Sequence, residues 1–485
     1  MKLSTLPVLL VVGAVLCGGC DGGSDSPRDA AQRHPETAAD PKGPEHPNVL
    51  LMVIDTLRAD RLGCYGYHRA TSPNIDRLAG RSVVFDQAFA NSDGTILSHI
   101  SLLTSRYTAP RESGPGPTPT LAEVFSQAGY GTYGVAANPA LVPVLGWGRG
   151  FDRYTDRPLD DETLDRLKDD KNYSLQIEAR SAAQTTDFVL DAMRRHQEKA
   201  ADKPWFLFVN YLDPHDPYTE RKPWSDEFHE SPSDISGTLR PQEGITIWSW
   251  VAETLPTLGE DDVRRLGELY DAEVRYADGQ IQRVFDYLRQ TDQSDNTIVL
   301  ITSDHGEALG EHDMFTHMLA ALDVELRVPL ILSVPWLSGQ QIRCGELVES
   351  VDVGPTVLAL CGIGVPVAFQ GRALLDPAGR LLPTGRSYTR HTHHAVNGKE
   401  RRELNYPPEA ALDSIVLRFA DSKVYFLADG RQMLFDISDY PNRKIVSDFA
   451  ETVTLLNRAL GRAGPAPETL PEEAREALRS LGYMK

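Results

Sequence analysis

Three apolar runs in this 485-residue chain each stop at side chains that can bind a cation or move a proton. The stretch "NVLLMVIDTLRAD" is apolar from Val49 to Ile54 and stops at Asp55. "NTIVLITSDHGE" stops at Asp304 and His305, and "WFLFVNYLDPHDPY" near Asp213 and His215. A single Asp after a strand is ordinarily a turn former. Three such endings, one of them an Asp-His pair, ask for more than turn chemistry. Carboxylate oxygens with an imidazole make a site for a divalent cation such as Ca2+, Mg2+ or Mn2+. A different residue type stands in "NSDGTILSHISLLTS", Asn91 to Ser105. Here a turn at Gly94 leads into a short helix that starts at Thr95, with His99 one turn on. A free threonine hydroxyl is a poor nucleophile. Beside a divalent cation it can lose its proton near neutral pH. At a helix N-terminus, the alkoxide and an incoming oxyanion also meet exposed N–H groups. Taken alone, Thr95 reads as the N-cap of its helix.

Elements of a particular kind must hold these residues. Continuous apolar runs suit strands buried on both faces of a largely parallel sheet. Helical stretches separate them, at Ser72 to Gly80, Thr120 to Ala128, Ala179 to Glu198 and Asp261 to Gln290. The alternation predicts an α/β sandwich with a mostly parallel central sheet, and ligands bind such sheets beyond the carboxyl ends of the strands. Residues 410–436 read as short strands of a small antiparallel sheet, and Pro465 to Lys485 as a loop and closing helix. A catalytic domain over 47–380 and a C-terminal subdomain over 381–485 follow.

Composition sets further bounds. A formal charge of −20 and a pI near 5.1 argue against a nucleic-acid partner. An anionic substrate would need positive charge supplied locally. Residues 1–20, "MKLSTLPVLLVVGAVLCGGC", carry Lys2 and a short apolar run, which fits an export signal. The pair Gly18-Gly19 before Cys20 resembles a lipoprotein signal, with lipid on Cys20 and the mature chain anchored at the cell envelope. Residues 21–46 read as a flexible tether. Cys64, Cys344 and Cys361 form no disulfide framework and no zinc spacing. The polar stretch "RHTHHAVNG", with His391, His393 and His394, reads as a loop near the cleft mouth. Glu220 to Trp250 reads as an insertion over the cleft.

The segments "NVLLMVIDTLRADRLGCYGY", "TSPNIDRLAGRSVVFDQAFA", "TILSHISLLTS", "FLFVNYLDPHDPY", "TIVLITSDHGEALGEHDMFTH" and "VDVGPTVLALCGI" stand in an order that resembles the sulfatase family of the alkaline-phosphatase superfamily, over residues 47–485. The resemblance implies one divalent cation held by Asp55, Asp304, His305 and Thr95. Ca2+ is the family's ion, with Mn2+, Mg2+ and Zn2+ as alternatives. Thr56 stands where many members carry a second acid. The resemblance also places His215 on the substrate's oxyanion, and His317 near the family's second substrate-facing Lys or His. Thr95 occupies the frame of the Cys or Ser that sulfatases oxidise to formylglycine. The family's Pro and Arg in that frame are absent, and His99 stands in the Arg position as a substrate contact or a helix cap. Two-metal members need a His four residues after an Asp. Pro217 holds that place after Asp213, so one cation is expected. The implied activity is hydrolysis of sulfate or phosphate esters of a small molecule, glycan or lipid. The alternatives are a phosphoryl-group transferase and a non-catalytic, lipid-tethered binding protein.

Overall fold

The computed structural model describes residues 44–155, 181–235, 258–311, 314–318, 320–337, 339–395, 412–419, 422–428, 432–436 and 444–446. Cys20, the tether and the closing segment Pro465 to Lys485 lie outside them, as does part of the insertion after Glu220. Among the described residues no helix is long and apolar enough to cross a membrane.

The first apolar run forms β1 (Asn48–Ile54), in which every residue is buried. Its side chains alternate between two cores. Val49, Leu51 and Val53 point to one, and Leu50, Met52 and Ile54 to the other. A strand covered on both faces cannot carry a polar alternation, which is why the run is continuous. The same logic forms β5 (Trp205–Tyr211) and β6 (Thr297–Thr302), and these pair with β1 in parallel on either side.

The eight-stranded sheet has the order β10-β2-β9-β6-β1-β5-β3-β4. Its remaining strands are β2 (Val83–Phe89), β3 (Gly131–Ala136), β4 (Arg153–Thr155), β9 (Leu330–Ser333) and β10 (Ile342–Glu349). Only β9 runs antiparallel to its neighbours. Since β1, β5 and β6 are adjacent and parallel, their carboxyl ends meet at one edge. A two-stranded ribbon, β7 (Ala308–Leu309) with β8 (Phe315–Thr316), follows β6 at that edge.

Helices cover both faces, at α1 (Pro73–Ala79), α2 (Thr95–Thr104), α3 (Leu121–Gln127), α4 (Ala182–Ala200), α5 (Glu260–Gln290) and α6 (Val353–Leu360). The predicted helices sit within a few residues of these bounds. Helix α5 anchors the loop that follows β1. Its Tyr270 hydroxyl donates to the Thr56 carbonyl at 2.8 Å and accepts from the Arg58 N–H at 3.0 Å.

The second sheet is antiparallel, in the order β11 (Thr389–His393), β12 (Ser414–Arg418), β13 (Ser422–Leu427), β14 (Gln432–Asp436) and β15 (Lys444–Val446). The strands expected at 410–436 are therefore present. The histidine stretch is not the loop it resembles. His391 and His393 lie on β11, wholly buried, because that strand is sealed between β12 and the chain before α2. Thr392 pairs there with Ser92 in a parallel bridge. The three described cysteines are free thiols.

Candidate active site

Asp55 leaves β1 wholly buried, and its two oxygens have different surroundings. Oδ2 accepts from the Asn138 amide at 2.7 Å and the Asn210 amide at 3.3 Å. Oδ1 has no hydrogen-bond partner. Asp304, at the end of β6, repeats the arrangement. Its Oδ1 accepts from the backbone N–H groups of His305, at 2.9 Å, and Thr56, at 3.2 Å. Its Oδ2 is buried without a hydrogen bond and lies 3.4 Å from His305 Nε2. Orphaned carboxylate oxygens are costly in a protein interior unless something cationic meets them.

His305 completes the group. Its Nδ1 lies 2.9 Å from the Gly306 carbonyl, which leaves Nε2 as the lone-pair atom facing the carboxylates. One donor atom from each of Asp55, Asp304 and His305 falls within 4.8 Å of the others. Burial, assisted by the charge of Asp304, pushes Asp55 up to about 6. His215, His305 and the Asn138 amide oppose the shift. Burial likewise pushes Asp304 to about 6, against the hydrogen bonds from His305 and Thr56. The residues therefore fit a divalent cation. They are desolvated, pre-oriented by amides, and short of positive charge.

Thr56, between the two acids in space, has a φ of 53°, an uncommon conformation for a β-branched residue. Its position carries no carboxylate, and the amides of Asn138 and Asn210 occupy the far side of Asp55 instead.

Thr95 is the first residue of α2 and not its cap. Gly94 holds the cap position in extended backbone, with no side-chain cap bond. A Cβ there would lie 3.0 to 3.3 Å from the Met318 side chain, which would have to give way by a few tenths of an ångström. Released from capping, the Thr95 hydroxyl lies 3.3 Å from His305 Nε2. His99 sits one turn below, wholly buried, with its edge on Trp147 and Phe208. Its Nδ1 lies 2.9 Å from the Thr95 carbonyl and 3.5 Å from Asp304 Oδ2. Burial holds its pKa down to about 3, so it carries no charge at neutral pH and does not replace an arginine electrostatically.

His215 and His317 stand beside this group. Their ring centroids are 4.9 Å apart, and His317 is 4.6 Å from His305. Burial disfavours charge on His215, but Asp216, Asp55 and Glu307 outweigh it and raise its pKa to about 9. His317 Nδ1 lies 3.1 Å from Glu307 Oε1, while Glu307 Oε2 accepts from the Tyr218 hydroxyl at 2.7 Å. Burial and the charge of Asp216 raise Glu307 well above the usual carboxylate range.

Several residues here escaped the sequence reading, namely Asn138, Asn210, Asp216, Tyr218, Glu307 and Asp93. The acid that mattered after β5 is Asp216 and not Asp213. Asp213 is turned away, accepting from the Ala182 N–H at 2.6 Å and from Arg221. The strand-end rule applied to "GVAANP" would have pointed to Asn138, since β3 delivers it to the same edge.

A family model described as Sulfatase matches residues 47–363. An uncharacterized sulfatase, YidJ, of Escherichia coli is 26% identical over 381 residues, spanning 72% of this chain and 75% of that protein. Iduronate 2-sulfatase of Mus musculus is 27% identical over 396 residues, spanning 66% and 69%. Among solved structures, the phosphonate monoester hydrolase SpPMH from Silicibacter pomeroyi superposes with a TM-score of 0.64 at 22% identity, covering 90% of this chain and 96% of that one. BT4656, solved with D-glucosamine-2-N,6-O-disulfate, gives 0.63 at 20% identity, covering 90% and 98%. The fold, the ordered strand-end residues and the family match agree, and the chain belongs to the sulfatase family of ester hydrolases within the alkaline-phosphatase superfamily.

Proposed function

We propose that this protein is a metal-dependent hydrolase of phosphate esters, with Thr95 as the nucleophile and sulfate esters as poorer substrates. The observation that carries the reading is the uncapped Thr95 hydroxyl, 3.3 Å from His305 Nε2 and beside two carboxylates with orphaned oxygens. Asp55, Asp304, His305 and Thr95 would hold the cation, Ca2+ by family likeness. A bound cation acidifies the threonine hydroxyl and offsets the charge of an anionic ester.

The chain's own residues account for the remaining steps. Thr95 Oγ1 attacks phosphorus, and the N-terminus of α2 supplies N–H groups to the transferring group. His215, cationic at neutral pH, gives its proton to the departing alcohol oxygen. Water then attacks the phosphorus of the threonine ester, breaks the Oγ1–P bond and returns the hydroxyl. His317, held by Glu307, faces the same oxygens. His99 and its bond to the Thr95 carbonyl orient the nucleophile from below.

Phosphate is preferred on chemical grounds. A formylglycine hydrate expels sulfate by collapsing to its aldehyde, using a second hydroxyl. Thr95 has no second hydroxyl, so a sulfated threonine could be cleared only by water attack at sulfur or carbon. The substrate class extends to glycan, lipid or small-molecule esters, and iduronate 2-sulfatase, BT4656 and SpPMH are named for, or solved with, a sulfated sugar or a phosphonate monoester. A panel of sulfate, phosphate and phosphonate mono- and diesters tests the assignment. Robust sulfate turnover by protein whose residue 95 is intact threonine by mass spectrometry would overturn it.

The pattern of residues 1–20 supports export and lipid attachment at Cys20, with 47–380 as the catalytic domain and 381–485 as its subdomain. Cys20→Ser should leave unprocessed precursor or change membrane attachment. A variant processed and distributed like the wild type would refute the anchor.

A further inference from the structure

We propose that the loop after α6, Gly362 to Ala368, seats on the lipid bilayer that holds the N-terminus, so that the amino edge of the large sheet faces the membrane and the active-site cleft faces solution. The inference rests on the reading of Cys20 as a lipid attachment site and goes beyond it, because an anchor alone sets no orientation.

The loop itself comes first. Val353 to Phe369 contains no charged residue. Helix α6 buries nearly all of its share of that run. The loop does not. Val367 is fully exposed and Val365 is exposed, whereas no other large apolar side chain among the described residues exceeds 51% exposure. One exposed valine is ordinary. These two stand on a fixed turn. The Ile363 N–H donates to the Leu358 carbonyl at 2.9 Å, and the Phe369 N–H to the Pro366 carbonyl at 3.0 Å. Ile363 packs against the core, and Phe369 is buried in it. A turn already ordered at both ends loses little entropy when it is covered.

The second observation is where the tether meets the body. Strand β1 starts at Asn48, whose Oδ1 accepts from the Trp205 N–H at 3.1 Å. The Gly131 N–H donates to the Pro204 carbonyl at 2.9 Å, so β1, β5 and β3 all begin at this edge. His46 lies just before β1, with its ring edge-on to Tyr130 at 6.5 Å. The Tyr130 hydroxyl in turn faces the Cys361 thiol, at the residue that ends α6. The entry of the chain and the apolar loop are therefore neighbours. Read as a flexible tether, residues 21–43 would span about 25 Å root mean square. That length keeps this edge close to whatever surface holds Cys20.

Charge and size select the occupant. A chain of net charge −20 gains nothing from an anionic surface, and the loop has no lysine or arginine to offer one. A second hold beside the lipid must come from apolar burial. One loop is too small for a stable protein interface. For a bilayer already tethered to the chain, a weak contact suffices, because the tether supplies a high effective concentration. The pose has a consequence for substrate. The seven residues of β1 place Asp55 about 20 Å from the membrane-facing edge. The cleft then receives water-soluble glycan or small-molecule esters rather than headgroups of the same bilayer.

The test uses the full chain, expressed with its own residues 1–20 and reconstituted into phosphatidylcholine vesicles. A photoreactive benzophenone amino acid takes the place of Val367 in one sample. In another it takes the place of Val144, an exposed residue in the segment after Asn138. Irradiation should give lipid adducts at residue 367 and few at residue 144, read by peptide mass spectrometry. Val365→Asp combined with Val367→Asp should speed passage of the protein from donor to acceptor vesicles by about tenfold or more, since burying one valine is worth at least that factor in a partition constant. Its Tm should match the wild type, because both side chains are exposed. Protein held by the vesicles without adducts at residue 367, or with equal adducts at both positions, would overturn the docking face and leave the anchor standing. Adducts to protein instead of lipid would also overturn it, and would assign the loop to a second copy or to another segment of the chain. Protein that does not stay with the vesicles would refute the anchor and this orientation with it.

Discussion

His393 Nδ1 lies 2.6 Å from Asp93 Oδ2, so a buried strand of the C-terminal sheet grips the turn that delivers Thr95. Asp93 also takes the Ala321 N–H on Oδ2 at 2.9 Å and the Met318 N–H on its backbone carbonyl at 3.0 Å. One carboxylate residue thus ties together the nucleophile turn, the chain after His317 and β11. Burial opposes its charge, yet the His393 imidazole holds Asp93 below its ordinary value.

From this brace we expect His393→Ala to lower kcat by ~10- to 100-fold, the cost of misplacing a reacting group by about 1 Å. KM and bound metal should change little. His393→Asn keeps a donor near the Nδ1 position and should retain most of the activity. Steady-state kinetics on both variants check this. Equal losses in the two would refute a positioning role.

Replacing the nucleophile has a larger expected effect. Thr95→Ala should reduce kcat at least ~10³-fold while the cation stays bound, and Thr95→Ser should keep part of the rate. Phosphothreonine trapped by rapid acid quench, and identified at residue 95 by peptide mass spectrometry, would be direct support.

Asn138→Ala tests the amides behind Asp55. With Oδ2 freed, the carboxylate can rotate, and its metal affinity should fall ~10- to 100-fold. Isothermal titration of chelator-stripped protein measures the change, and an unaltered affinity would count against the assigned site.

Acidity gives a fourth expectation. Asp55 and Asp304 move from 3.8 to about 6 in the folded, metal-free chain. Between those values the folded state holds protons that the unfolded state has released. Metal-free stability therefore falls as pH rises through that window and levels off above about 6. A bound cation removes the mutual repulsion, so it should raise Tm more at pH 7.5 than at pH 4.5. A gap between loaded and stripped protein that narrows with rising pH would contradict the burial argument.

Much of this site is legible in linear form, because buried parallel strands have to be apolar throughout and deliver their last residue to a common edge. Asp55, Asp304 and His305 follow from that rule, and so does the vicinity of His215. The choice between Asp213 and Asp216 does not follow, since both come after β5 and only the packing of Arg221 removes the first. His391 and His393 were hidden by polar neighbours that look like a loop, whereas their burial depends on β12 and on the chain near Asn91. Asn138 and Asn210 carry no charge pattern, and their role appears only when β3, β5 and β1 lie side by side.

The bridge between Ser92 and Thr392 also bears on when the enzyme becomes competent. The cation donors are complete once residue 305 has been made, and the histidine pair by residue 317. The clamp on the nucleophile turn comes from a residue 300 positions beyond Asp93. A ribosome, working from the amino end, finishes the reactive parts long before the strand that locks them. A nascent chain therefore has its reactive groups before the strand that sets the nucleophile turn, and the full rate waits until β11 has been made and folded back. The late strand thus tunes an assembly whose parts are made early.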